Sequence, residues 1–141
     1  MRTIAVVYYS GTHNTEIMAK AIADSVTRHG SEAKLFTPGE FNSSMLDSFD
    51  SIAFGCPAMG MEVLEEEHFE PMFSEVEKHL KGKPIALFGS YGWGDGQWME
   101  DWEERARADE ALLMYKSIIA QEIPDAIALA KCELLGEILS T

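Results

Sequence analysis

Basic residues are scarce in this chain: 11 Lys and Arg stand against 24 Asp and Glu, a formal net charge of −13 over 141 residues. Such an acidic protein is repelled by nucleic acid and by anionic membranes, and it is drawn to basic protein partners through electrostatic steering. Cysteine is nearly absent as well. Cys56 and Cys132, far apart in the chain, make no disulfide framework, which points to reduced thiols and a cytoplasmic location. His29, His68, His79 and Cys132 show no metal-ligand spacing, so no metal site is expected. No apolar run reaches membrane-spanning length, and Arg2 leads straight into a strand-like segment without a cleavage-site pattern. Repeats, low-complexity stretches and linkers are lacking too. The expectation is one domain over residues 1–141, a monomer with a real core.

What is present begins with Ile4-Ala5-Val6-Val7-Tyr8-Tyr9-Ser10-Gly11-Thr12-His13-Asn14-Thr15. An apolar run stops in a cluster of hydroxyls, glycine and asparagine, and an amphipathic helical pattern starts at once. Strand, tight polar loop and helix in that order gather backbone N–H groups at the positive end of a helix, which suits an anion, phosphate above all. The loop lacks the Gly-Lys-Ser/Thr ending of a triphosphate loop and the three spaced glycines of a dinucleotide fold. It also lacks Lys and Arg, so dipoles and hydroxyls would hold a small phosphate monoester. A Ser/Thr-capped helix start is the alternative that these residues alone leave open.

Further along, apolar strand-like runs alternate with helical periodicity. Strands are expected at residues 3–9, 33–36, 51–55, 84–89 and 111–119. Helices are expected at 14–29, with Ile17, Ala21, Ile22 and Val26 inward, at about 69–80, at 97–108 with Trp98 and Trp102 on one side, and after Pro124, with Ile127, Cys132, Leu135 and Leu139 buried. Phe41, Met45, Leu46 and Phe49 suggest a short helix or loop against the core. The alternation implies right-handed crossovers and a parallel sheet covered on both faces, an α/β three-layer sandwich. Ligands of such sheets bind beyond the carboxyl ends of the strands. The loops after strands one, three and four would meet there.

The loop after strand four, Ser90-Tyr91-Gly92-Trp93-Gly94-Asp95-Gly96, joins glycines to aromatics that offer a flat stacking face. The loop after strand three, Cys56-Pro57-Ala58-Met59-Gly60-Met61-Glu62, offers a polarizable thioether at Met59. A planar ring between Met59 and Trp93, with a phosphate tail in residues 10–15, describes flavin mononucleotide (FMN). Each of these two side chains taken singly reads more readily as ordinary packing; their joint occurrence with the hydroxyl loop reverses that.

The runs Tyr9-Ser10-Gly11-Thr12-His13-Asn14-Thr15-Glu16, Gly55-Cys56-Pro57-Ala58-Met59-Gly60, Glu62 with Leu64-Glu65, Glu70-Pro71 and Ala86-Leu87-Phe88-Gly89-Ser90-Tyr91-Gly92-Trp93-Gly94-Asp95-Gly96 resemble the short-chain flavodoxins of clostridial-type anaerobes. The likeness runs to Glu122-Ile123-Pro124-Asp125 and so covers nearly the whole chain. It implies a flavodoxin-like five-stranded parallel sheet in the order 2-1-3-4-5 and non-covalent FMN. It also implies a low-potential one-electron carrier, not an enzyme, cycling between semiquinone and hydroquinone and shuttling electrons between reductase-type donors and acceptor proteins.

By the same resemblance Ser10, Thr12, Asn14 and Thr15 bind phosphate with the Gly11 and His13 backbone, and Ser90 lies close by. Met59 and Trp93 cover the ring faces, and Glu62 accepts from the flavin N3–H. Pro57, Ala58, Gly60, Met61, Tyr91, Gly92, Gly94 and Gly96 complete the cofactor-binding set. The Gly60–Met61 peptide is expected to flip on reduction, turning a carbonyl toward the protonated N5. One net hydrogen bond of roughly 1 kcal/mol is worth tens of millivolts, since about 59 mV is a decade for one electron. Glu62, Glu65, Glu66, Glu67 and Glu70 on one flank, with Asp95, Glu100, Asp101, Glu103 and Glu104 on the other, would strengthen the reductant. One charge at ~10 Å and an effective dielectric of ~40 costs an added electron about 35 mV before screening.

His13 stands where the family usually has glycine, so an unusual backbone angle there would strain it, and its protonated ring would bring positive charge near the phosphate. Met61 stands where relatives often carry a small or acidic residue. Two other readings share the topology. An FMN-dependent NAD(P)H:quinone reductase would be longer, with a second pocket above the flavin. A phospho-receiver domain needs acidic residues after strand one and an Asp ending strand three, where Tyr8-Tyr9 and Phe54-Gly55 stand instead.

Overall fold

The computed structural model describes residues 1–141. Six strands, β1 (Thr3–Tyr8), β2 (Glu32–Phe36), β3 (Ser51–Gly55), β4 (Pro84–Tyr91), β5 (Leu112–Leu113) and β6 (Ile118–Gln121), alternate with α1 (Asn14–Arg28), α2 (Phe69–Val76), α3 (Gln97–Ala108) and α4 (Ala126–Ser140). All strand pairs are parallel, in the order β2-β1-β3-β4-β5, with β6 also on β4. Successive residues of a strand point to opposite faces, so the central strands need apolar residues throughout. Ala5, Val7, Ile52, Phe54, Ile85 and Leu87 fill the core beneath α2 and α3. Ile4, Val6, Ala53, Ala86, Phe88 and Ile118 fill the one beneath α1 and α4.

The expected fifth strand is two strands. From Ile85 to Phe88, β4 advances three residues, while its partners advance five, from Leu113 to Ile118. The two extra residues break the ladder, and they let Tyr115 pack on the α1–α4 core and Ser117 Oγ donate to Glu103 Oε2 at 2.7 Å. β6 then runs to Gln121, past the expected end.

The helices keep their predicted extents within a turn, but two buried faces differ from expectation. Ile17 is 40% exposed, and the inner face of α1 is Met18, Ala19, Ile22, Ala23 and Val26. Ile127 is 68% exposed; Ala128, Cys132, Leu135 and Leu139 form the stripe. In both, the apolar outlier sits one position off the spacing that faces the sheet. Pro124 precedes the cap of α4, whose Asp125 Oδ1 accepts from Ala128 N at 2.8 Å. α2 tightens into a 3-10 turn at Glu77–His79, with Leu80 buried. No helix is long and apolar enough to cross a membrane.

Candidate functional site

The carboxyl ends of β1, β3 and β4 bring their three loops together. Gly11, Thr12 and Asn14 from the first, Pro57, Ala58 and Met59 from the second, and Ser90, Tyr91 and Gly92 from the third line a cleft of about 380 Å³, with Glu122 from beyond β6.

The first loop is built for an anion. The amides of Gly11, Thr12, His13, Asn14 and Thr15 donate to no protein acceptor; the next two are used, Glu16 N by Ser10 Oγ (3.1 Å) and Ile17 N by the His13 carbonyl (3.0 Å). Five free amides at a helix mouth form a cradle of partial positive charge. The loop is pinned from below: Thr15, buried, holds Ser90 Oγ at 2.9 Å and accepts from Ser90 N at 3.3 Å. His13 is the cap of α1 at φ 73°, a left-handed conformation, so the backbone demand foreseen there is real. Its ring leaves the amides alone. Nδ1 lies 2.8 Å from Glu16 Oε1, and Lys20 Nζ lies 3.3 Å from Glu16 Oε2. The His13 hydrogen bond, then Lys20, holds the Glu16 carboxyl below the usual range.

The second and third loops are stitched to each other. Ala58 N donates to Ser90 O at 2.9 Å, and a Cβ on Gly89 would sit 2.2 Å from Cys56 O, so only glycine lets the two strand ends approach. Met59 and Val63 exchange backbone hydrogen bonds of 2.8 and 3.0 Å, closing a three-residue hairpin over Gly60, Met61 and Glu62. Gly60 (φ 49°) and Glu62 (φ 56°) are both left-handed. The Glu62 carboxylate packs on Gly94, where a Cβ would approach Oε1 to 2.3 Å, and that oxygen is buried with no partner. Hairpin and Trp93 loop therefore touch.

Nine of the ten cleft-lining residues are among those expected from the sequence. The tenth, Glu122, is not; it holds φ 56°, and its N–H donates to Tyr91 O at 2.7 Å. Its left-handed backbone carries no sequence signal in a glutamate. Of the other expected residues, Ser10, His13 and Thr15 shape the first loop from within it. Gly60, Met61 and Glu62 form the hairpin tip, with Met61 88% exposed. Trp93 is 64% exposed and stands off the cleft wall, between Gly92 on the wall and Gly94 against Glu62; Gly96 caps α3 at φ 91°. Tyr91 is on the wall itself, at the end of β4, tilted against Trp98.

Behind the hairpin, buried Glu65 does the capping of α2. Its carboxylate accepts from the amides of Glu67 (2.9 Å), His68 (2.8 Å) and Phe69 (2.7 Å) and from His68 Nδ1 (3.1 Å). Burial is the largest single influence and pushes its carboxyl up, but the hydrogen bonds together hold it below the usual range. The His68 ring stacks on Tyr9 at 5.7 Å, tying α2 to the foot of the first loop. Arg105 of α3 grips Glu70 with both Nη atoms (2.8 and 2.6 Å) and Glu77 through Nε (2.6 Å), over the Phe73 ring. Cys56 and Cys132 are free and buried, and burial raises both thiols, Cys132 to about 12.

The sequence model of one family, described as Flavodoxin, matches residues 6–130. Over 120 residues the chain is 44% identical to the flavodoxin of Clostridium beijerinckii, covering 85% of this chain and 87% of that protein. It is 41% identical over 134 residues to the flavodoxin of Megasphaera elsdenii, covering 95% and 96%. The solution structure of two-electron reduced Megasphaera elsdenii flavodoxin superposes with a TM-score of 0.90 at 40% identity, over 97% of this chain and 98% of that one.

Proposed function

The chain belongs to the flavodoxin family of FMN-bound electron carriers, and from that premise we propose how its own residues hold and tune the cofactor. The donor set fits. Five unpaired amides, the Ser10 and Thr12 hydroxyls and Asn14 suit a phosphate monoester, and the loop has no Lys or Arg that a triphosphate would call for. The cleft lies within the size range of small-molecule sites and opens away from that mouth between two aromatic- and thioether-bearing loops. The free amides beside this cleft are the observation that carries the reading.

In this assignment Ser10, Gly11, Thr12, His13, Asn14 and Thr15 hold the phosphate, with Ser90 bracing Thr15 from beneath. Pro57, Ala58, Tyr91, Gly92, Gly94 and Gly96 shape the walls. Met59 and Trp93 cover the ring faces, and the Glu62 carboxylate, one oxygen short of a partner, accepts from the ring N3–H. Bound FMN supplies the redox chemistry, taking up and releasing one electron at a time. The Gly60–Met61 peptide is the one whose carbonyl would be turned toward the reduced ring as a hydrogen-bond acceptor. The Met59–Val63 clamp keeps this rotation local, and the glycine makes positive φ cheap.

Acidic side chains of the hairpin flank and of α3 disfavour added negative charge in the cleft and steer basic-surfaced redox proteins to the exposed Met61 and Trp93 rim. The unit is a single domain of residues 1–141, a monomer working in the reducing cytoplasm without transforming a substrate of its own.

The test is optical. Apo protein mixed with FMN is expected to turn yellow with one equivalent bound, and stepwise anaerobic reduction is expected to resolve two one-electron stages. A colourless mixture would overturn the assignment, and steady oxidation of NAD(P)H by the purified protein alone would make it an enzyme.

A further inference from the structure

The anion cradle at the mouth of α1 is made of backbone, and its one titratable side chain is His13. We propose that the proton on His13 sets how strongly this cleft prefers a phosphate-bearing flavin over the same flavin without phosphate, an inference that rests on the flavin reading above.

The geometry isolates the charge that matters. His13 takes the left-handed cap position of α1, and its exposed ring has Nδ1 2.8 Å from Glu16 Oε1. A carboxylate only accepts, so Nδ1 carries hydrogen in either charge state and Nε2 gains or loses the proton. Lys20 Nζ, 3.3 Å from Glu16 Oε2, completes the trio. With His13 protonated the trio sums to one positive charge; without the proton it sums to zero, and the Glu16 carboxylate in the first turn of α1 is matched by Lys20 alone. The other carboxylates facing the loop are Glu122, which lines the same cleft, and Glu40, which acts on Tyr8 beneath it. Residues 10–15 contain no Lys or Arg to mask the change. Glycine at this position would satisfy the backbone without strain and without charge. The histidine accepts the strain and adds a proton-dependent cation.

For one charge acting on a phosphate across about 8 Å of largely solvated space, the affinity changes about threefold after salt screening. Binding is tighter at lower pH by this mechanism. The phosphate's own second ionisation, near pH 6, works in the opposite direction, so wild type must be compared with a variant. Asn is the neutral residue that best tolerates left-handed backbone.

Dissociation constants of FMN and riboflavin are measured for wild type and His13→Asn at about pH 6 and about pH 8. The expected result is a wild-type advantage for FMN of about threefold at the lower pH that vanishes at the higher one, with riboflavin indifferent to the substitution at both. Calorimetry in buffers of different ionisation enthalpy should also show wild type taking up more protons than His13→Asn on binding FMN. An advantage independent of pH, or one shared by riboflavin, would overturn the proposal. If no flavin binds, the flavin reading fails separately. Inorganic phosphate, followed by the amide shifts of residues 11–15, then decides the matter: a pH-dependent advantage of wild type supports the role of His13, and equal or absent binding in the two proteins overturns it.

Discussion

The two halves of the cleft are made by different means. The proposed phosphate end is backbone: five free amides, held by a buried Thr15–Ser90 pair and carrying no fixed cation. The proposed ring end is side chain: Met59 on the cleft wall, with Met61, Glu62 and Trp93 beside it on two loops that meet at Gly94, their apolar tips exposed. Backbone dipoles fixed by secondary structure would hold a phosphate whatever the charge on the ring. Side chains on a hairpin with two left-handed residues are free to respond to it. The contrast separates holding the cofactor from tuning it.

Gly89 joins the halves, and replacing it should have the largest effect. In Gly89→Ala the new methyl meets Cys56 O and forces β3 and β4 apart at the site. A loss of about 3 kcal/mol or more is expected in urea unfolding, and FMN and riboflavin should both bind more weakly. Thr15→Val should act on the phosphate end alone. It leaves the Ser90 hydroxyl and amide buried without their partner, at about 1–3 kcal/mol, and FMN should weaken far more than riboflavin. Equal weakening of the two flavins would erase the division.

Glu65→Gln probes the support of the ring end. The Glu65 carboxyl is held low in the fold, so its stabilisation is complete above the ordinary carboxylate range and is lost as pH falls through the lower folded value. Wild type should exceed Glu65→Gln by about 1 kcal/mol at neutral pH. The gap should close in acid below about pH 4; thermal melts across that range would show it. The smallest effect is a gain. His13→Gly removes a left-handed side chain and should stabilise the apo protein by about 0.5 kcal/mol, an increase absent if the Glu16 bond repays the strain.

Much of this is legible in the chain itself. Unbroken apolar runs at 3–9 and 51–55 mark two-faced central strands, and the hydroxyl and glycine clusters that follow strands mark the site loops. Single residues mislead where two readings of one pattern compete. Ile17 and Ile127 look like core on hydrophobicity, but Met18 and Ala128, one step along, face the sheet. Tyr91 reads as part of a loop, yet it stands at the end of β4 on the cleft wall, because β4 runs two residues further than its apolar pattern.

Residue types thus specified the alternation of strands and helices, the anion-binding loop and the acidic rim, since periodicity, turn chemistry and charge act over a few neighbours. The split of the last strand, the entry of Glu122 into the cleft and the seating of Glu62 against Gly94 were decided by the assembled sheet. Each depends on how closely distant segments approach, and the distance between segments is set by packing, which no local stretch of chain encodes.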